Sequence, residues 1–131
     1  MNNRRGHILW VDDEIEYLKP HILFLEEKGY KLSTANNGQD AIALSKTNQF
    51  DLILLDHSMP GMDGIETLTV LKKNRISQLI IMITKTEDEW LMNEAIIGQV
   101  EQFLIKPVNP SQIFIACKRA LEQKTLREQK A

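Results

Sequence analysis

Apolar residues fall along this chain in two alternating rhythms. Short runs such as Leu52-Ile53-Leu54-Leu55 and Leu79-Ile80-Ile81-Met82-Ile83 end in turn residues, which predicts buried parallel strands. Between the runs, apolar positions recur at spacings of three and four, as in Ile15, Leu18, Ile22 and Leu25, which predicts helices with one apolar face. The predicted strands are 7–11, 30–35, 50–55, 78–84 and 102–105. The predicted helices are 14–28, 38–47, 64–74, 87–97 and one starting at Pro110. Pro20 removes a backbone donor inside the first helix and predicts a kink or a restart there. Gly29 is placed to end that helix in a left-handed conformation. Asn109-Pro110-Ser111-Gln112 combines a capping side chain, proline at the first helical position and glutamine at the third. Strands alternating with helices give an α/β fold of (βα)5 type, a doubly wound five-stranded parallel sheet with helices on both faces.

Length and composition narrow this further. The 131 residues suffice for one domain with one core. Hydrophobic content of 43%, charged content of 26% and a net charge of −2 give no sign of a nucleic-acid or membrane surface. No apolar run reaches membrane-spanning length, and no signal peptide is expected after the basic Met1–Gly6 start. A single cysteine, Cys117, fits a reducing, cytoplasmic setting and an apolar helix face. From Glu122 onward Leu126 is the one large apolar residue. We therefore expect a domain over 1–125 and a tail, fraying helix or truncated linker over 126–131.

The chemistry gathers at strand ends. Asp56 closes the third strand and precedes the turn-rich His57-Ser58-Met59-Pro60-Gly61-Met62-Asp63-Gly64. The first strand ends at Asp12-Asp13-Glu14, the fourth at Thr84, the fifth at Lys106-Pro107. In open α/β sheets the C-terminal strand ends form the binding rim. Carboxylates crowded there repel one another unless a cation joins them. An oxygen-only set with few carboxylates suits Mg²⁺. A metal-bound Asp56 is a nucleophile toward a phosphoryl group, whose oxygens Mg²⁺, Lys106 and Thr84 would each take up.

Together, Asp12-Asp13, Asp56 with Met59-Pro60-Gly61-Met62-Asp63-Gly64, Thr84 and Lys106-Pro107 resemble the receiver domain of two-component response regulators over roughly Ile8 to Leu121. The resemblance implies a CheY-like, flavodoxin-like strand order 2-1-3-4-5. It implies that a sensor histidine kinase phosphorylates Asp56, and that Asp12, Asp13, Asp56 and the Ser58 backbone carbonyl hold Mg²⁺. It assigns Thr84 and Phe103 as a switch pair, and Lys106-Pro107 as a bond often cis in the family. It further implies an output domain or downstream protein, a homodimer formed on phosphorylation, and no turnover beyond the chain's own phosphorylation and dephosphorylation. Ile8–Glu14, Lys19–Tyr30 and Ile83-Thr84-Lys85 are also similar to receivers joined to an alkaline-phosphatase-like output domain in Bacteroidetes, regulators tied to type IX secretion.

Plainer readings stand beside these. Asp12 and Asp13 alone would be helix caps, Thr84 a strand end, Lys106 a surface lysine. Phe103 is as well explained by packing as by switching, and Trp90 by packing or a partner surface. His57 is read as rim surface, His7 and His21 as structural, Trp10 as buried. A haloacid-dehalogenase-type phosphohydrolase would want an acid where Ser58 stands, and a dinucleotide fold would want a glycine-rich turn where Asp12-Asp13-Glu14 stands. A receiver working without phosphate is disfavoured because every acceptor residue is present.

Four residues depart from the family pattern. Lys85 replaces a usually small residue after Thr84 and is expected to screen or gate the site. Ser58 and Thr86 are short where longer amides or acids position hydrolytic water, which implies a long phosphoryl lifetime. Gly98 stands five residues before Phe103 rather than four, so that loop is one residue longer.

Overall fold

The computed structural model describes residues 5–74, 78–85 and 87–130. Five strands, β1 (Gly6–Val11), β2 (Tyr30–Ala35), β3 (Leu52–Asp56), β4 (Leu79–Thr84) and β5 (Gln102–Ile105), pair in parallel in the order β2-β1-β3-β4-β5. The helices are α1 (Lys19–Glu27), α2 (Gly38–Thr47), α3 (Gly64–Asn74), α4 (Glu89–Ile97) and α5 (Pro110–Lys130).

Side chains alternate across each strand, so the sheet feeds two cores. Leu9, Val11, Ile53, Leu55, Ile80 and Met82 meet Ala41 of α2, Leu68 and Leu71 of α3, and Leu91 and Ala95 of α4. Ile8, Trp10, Leu52, Leu54, Ile81 and Ile83 meet Leu25 of α1 and Ile113, Ala116, Cys117 and Ala120 of α5. The central strands are apolar on both sides because both sides are covered, and each large aliphatic buried there contributes about 1.5–3 kcal/mol.

Most element boundaries follow the apolar pattern, and the differences have local causes. The helix expected over 14–28 is divided: Ile15–Leu18 forms a 3-10 turn, and α1 restarts at Lys19 with Pro20 in its first turn. Gly29 takes a left-handed φ of 103°. β3 starts two residues later than expected because Asp51 is engaged by β1, its N–H donating to the His7 carbonyl and its carboxylate accepting from the His7 N–H. α4 starts at Glu89 because Asp88 caps it, accepting from the Leu91 N–H. Asn109 and Gln112 form a reciprocal cap on α5, as their spacing predicts. α5 continues helically to Lys130 through the expected tail, and Arg127 on it pairs with Glu101 at 2.8 Å.

Among the described residues no helix is long and apolar enough to cross a membrane. His7 bonds Ser33, His21 bonds the Val108 carbonyl, and Trp10 and Cys117 are buried. Trp90 is 61% exposed, so it is surface rather than packing.

Candidate functional site

The strand order decides what meets at the C-terminal rim. β3 is flanked by β1 and β4, so Asp56 at its tip has the ends of those two strands on either side. β5 lies beyond β4 and delivers Lys106 immediately after Ile105. Asp12 follows β1, and Thr84 closes β4.

Asp12 and Asp56 are almost completely buried, and Thr84 fully so. Asp13 is exposed. Asp12, Asp13 and Asp56 each bring one oxygen within 4.8 Å of the others, a spacing a metal ion can bridge. The Lys106 ammonium donates to Asp12 Oδ2 at 3.0 Å and approaches Asp56 Oδ1 at 3.5 Å. The second approach is ion pairing without hydrogen-bond geometry, so Asp56 Oδ1 is enclosed with no hydrogen-bond partner. Burial, reinforced by the Asp12 charge, pushes the Asp56 carboxyl up to about 6, against the opposing pull of Lys106 and the Ser58 amide. Burial pulls the Lys106 ammonium down, but the Asp12 hydrogen bond and the two carboxylate charges outweigh it and leave its pKa raised.

The loop after Asp56 is held in a tight return. The Gly64 N–H donates to the His57 carbonyl at 3.0 Å, and His57 N–H donates to the Ile83 carbonyl. A side chain at Gly64 would meet His57 Cα at 2.6 Å and the Asp56 carbonyl at 3.0 Å, so this position needs a glycine. Asp63 and Glu66 then form a capping box that starts α3. His57 is half-buried with Nδ1 enclosed rather than lying out on the rim, because α3 begins directly over it.

Each described residue expected at the site lies on this rim except Phe103. Phe103 is paired with Met82 one turn of the pleat below Thr84 and packs partly buried against the core on the α2–α4 side. Thr84 shares the parity of Met82, so both members of the expected pair belong to the same side of the sheet. Lys106-Pro107 is cis. Ser58 is exposed, and Thr86 lies outside the described residues. Tyr17, Leu18 and His21 were not expected at the site, and Glu14 was expected only as the last acid at the end of the first strand. With Asp12, Lys85, Lys106, Pro107 and Val108 they line a cavity of about 490 Å³ beside it. Glu14 carried a signal, being the third acid after β1; the others come to the site only through the packing of the first helical segments.

A family model described as the response regulator receiver domain matches residues 8–118. The chain belongs to that family. It is 32% identical over 116 residues to the transcriptional regulatory protein ResD of Bacillus subtilis, covering 88% of this chain and 48% of ResD. To the transcriptional regulatory protein SrrA of Staphylococcus aureus it is 33% identical over 118 residues, covering 90% of this chain and 48% of SrrA. The chain thus spans about half the length of these curated relatives. A CheY-like response regulator receiver domain protein from Methanospirillum hungatei superposes with a TM-score of 0.88 at 27% identity, covering 92% of this chain and 97% of that one. The fold is the CheY-like one, and the chain is a receiver domain of the two-component response regulators.

Proposed function

We propose that Asp56 is the phosphoacceptor of this receiver and that a sensor histidine kinase is its donor. The observation that carries the reading is the Lys106 ammonium set between two buried carboxylates, one of which, Asp56, keeps an oxygen without a hydrogen-bond donor. A carboxylate oxygen of Asp56 is the nucleophile. It would form the new bond to phosphorus while the phosphorus–nitrogen bond of the donor's phosphohistidine breaks and its electron pair stays on the imidazole. Lys106 neutralises charge on the transferred group, and the Thr84 hydroxyl at the neighbouring strand tip takes a phosphoryl oxygen.

Asp12, Asp13, Asp56 and the Ser58 carbonyl are the residues that would hold Mg²⁺. An all-oxygen set with one enclosed, unpartnered oxygen fits that ion. When bound, it would supply positive charge against the phosphoryl oxygens. Thr84 and Phe103, on one side of the sheet, are the pair proposed to relay the change to an output domain or downstream protein. The chain itself is proposed to turn over nothing but its own phosphoryl group, with the short Ser58 and Thr86 leaving that group long-lived.

Incubation with Mg²⁺ and acetyl phosphate tests this. Intact mass should rise by one phosphoryl group, and Asp56→Asn should abolish the rise. Labelling that survives in Asp56→Asn would defeat the assignment.

A further inference from the structure

β1 and β4 are not neighbours; β3 runs between them. A contact between the residues just beyond β1 and β4 therefore crosses the tip of β3, where Asp56 stands. Lys85 and Glu14 make such a contact, with Lys85 Nζ 3.8 Å from Glu14 Oε1. Lys85 follows Thr84 directly, and Glu14 is tied back to the site by its N–H, which donates to Asp12 Oδ1 at 2.8 Å. Both side chains border the cavity that Asp12 and Lys106 also line.

The pair is weakly held. Its side chains are 63% and 53% exposed and its separation is long, so it is a weak, solvent-screened attraction. Lys106 is already committed to Asp12, its closer partner. A dianionic group on Asp56 would face Asp12 and Glu14 as like charges. Apart from Lys106, Lys85 is the one lysine or arginine among the described residues that line this cavity.

We propose that Lys85 is a second phosphoryl-binding cation, held in reserve across the cleft by Glu14 and transferred from Glu14 to a phosphoryl oxygen when Asp56 is modified. The inference rests on Asp56 being the acceptor. Glu14 and the phosphoryl group then compete for one ammonium, so Glu14 lowers the affinity of the site for phosphoryl groups and Lys85 raises it. A lysine reaching in from the surface would also narrow access to the cavity.

Beryllofluoride, a phosphoryl mimic, provides the probe. Its affinity for the full chain in Mg²⁺ is measured by fluorine NMR for the wild type, Lys85→Met, Lys85→Arg, Glu14→Gln and Asp56→Asn. Both positions are largely exposed, so the variants keep the fold. Lys85→Met should bind roughly three- to five-fold more weakly, the scale of an exposed charge contact, and the difference should vanish in concentrated salt. Lys85→Arg should restore most of the affinity, and Glu14→Gln should bind more tightly than wild type. Equal affinity of Lys85→Met and wild type at low salt would overturn the exchange while leaving Asp56 as acceptor. Absence of an adduct in the wild type, or an adduct surviving in Asp56→Asn, would overturn the acceptor reading and the exchange together.

Discussion

Lys106 sits closer to Asp12, at 3.0 Å, than to Asp56, at 3.5 Å. The shared cation therefore satisfies one buried carboxylate and leaves the other charged, enclosed and short of a donor. Asp56 is a point of stored instability in the metal-free protein, and its function and its cost come from the same burial.

This gives a pH-dependent stability with a definite sign. Burial first, and Asp12 second, raise the Asp56 carboxyl to about 6 from an ordinary 3.8. The folded protein then holds this proton more tightly than the unfolded chain. The stability it contributes is full below pH 3.8 and is lost as pH rises to about 6. Above that range, the ionised group costs roughly 2–3 kcal/mol. In EDTA at neutral pH, Asp56→Asn should raise Tm, and the gain should shrink to nothing toward pH 4. Thermal melts across this range check it; a gain independent of pH would show that charge is not the cause.

Mg²⁺ should relieve the same instability. An ion that binds the folded site stabilises by mass action, reaching about 2.7 kcal/mol at a hundredfold excess over its dissociation constant. Wild-type Tm should rise with Mg²⁺ concentration and the rise should be largely lost in Asp13→Asn, which keeps the buried residues intact. Titration calorimetry of both proteins gives the affinities. Equal Mg²⁺ responses would remove Asp13 from the ligand set.

Much of this rim was legible in the sequence, because a buried parallel strand declares itself as an apolar run and its end as the first polar residue. Asp12, Asp56, Thr84 and Lys106 follow from that rule. What stayed hidden depends on contacts distant in sequence. The start of β3 is set by Asp51 bonding to His7, and the burial of His57 by the onset of α3 over it. The Glu14–Lys85 contact depends on where two exposed side chains reach beyond the tips of strands that are not neighbours, which no local pattern encodes.

The end of α4 illustrates the same limit and supplies a prediction. Gly98, the C-cap residue of α4, has φ −74°, and the left-handed residue is the next one, Gln99, at φ 64°. The Gln99 N–H donates to the Ile96 carbonyl and the Val100 N–H to the Ala95 carbonyl, which is the Schellman pattern with glutamine in the glycine place. Gly98 is required for another reason, since a Cβ there would run into the Leu68 side chain of α3. Gln99→Gly should therefore stabilise by up to about 1 kcal/mol. Gly98→Ala should destabilise by roughly 1–3 kcal/mol. Urea denaturation distinguishes the two; stabilisation by both would mean that α3 and α4 are loosely packed.

Cys117 should be chemically silent in the native state. It is fully buried between α5 and the sheet, and burial pushes its thiol up to about 12. The thiolate is the reactive form, so both access and ionisation oppose modification. Ellman's reagent should label the folded protein only at the rate of opening, and fully in denaturant. Rapid labelling of folded protein would place Cys117 on a mobile helix.

Gly64 links the chain's local chemistry to the acceptor. Its missing side chain lets α3 start directly against the backbone of Asp56 and His57, with the Gly64 N–H closing on the His57 carbonyl. A methyl group there would sit 2.6 Å from His57 Cα, where backbone must yield rather than a flexible side chain. Such overpacking costs roughly 1–3 kcal/mol and would shift the strand tip that carries Asp56. Gly64→Ala should therefore lower Tm and slow acetyl phosphate labelling together. Gly61→Ala offers the contrast. Gly61 has φ 76° with open space around it, so alanine there strains the turn without pressing on the site. It should lose stability while keeping the labelling rate of the folded fraction, measured as mass shift against time below both transition temperatures. Equal labelling defects in the two variants would mean that the whole loop, rather than the contact at Gly64, positions Asp56.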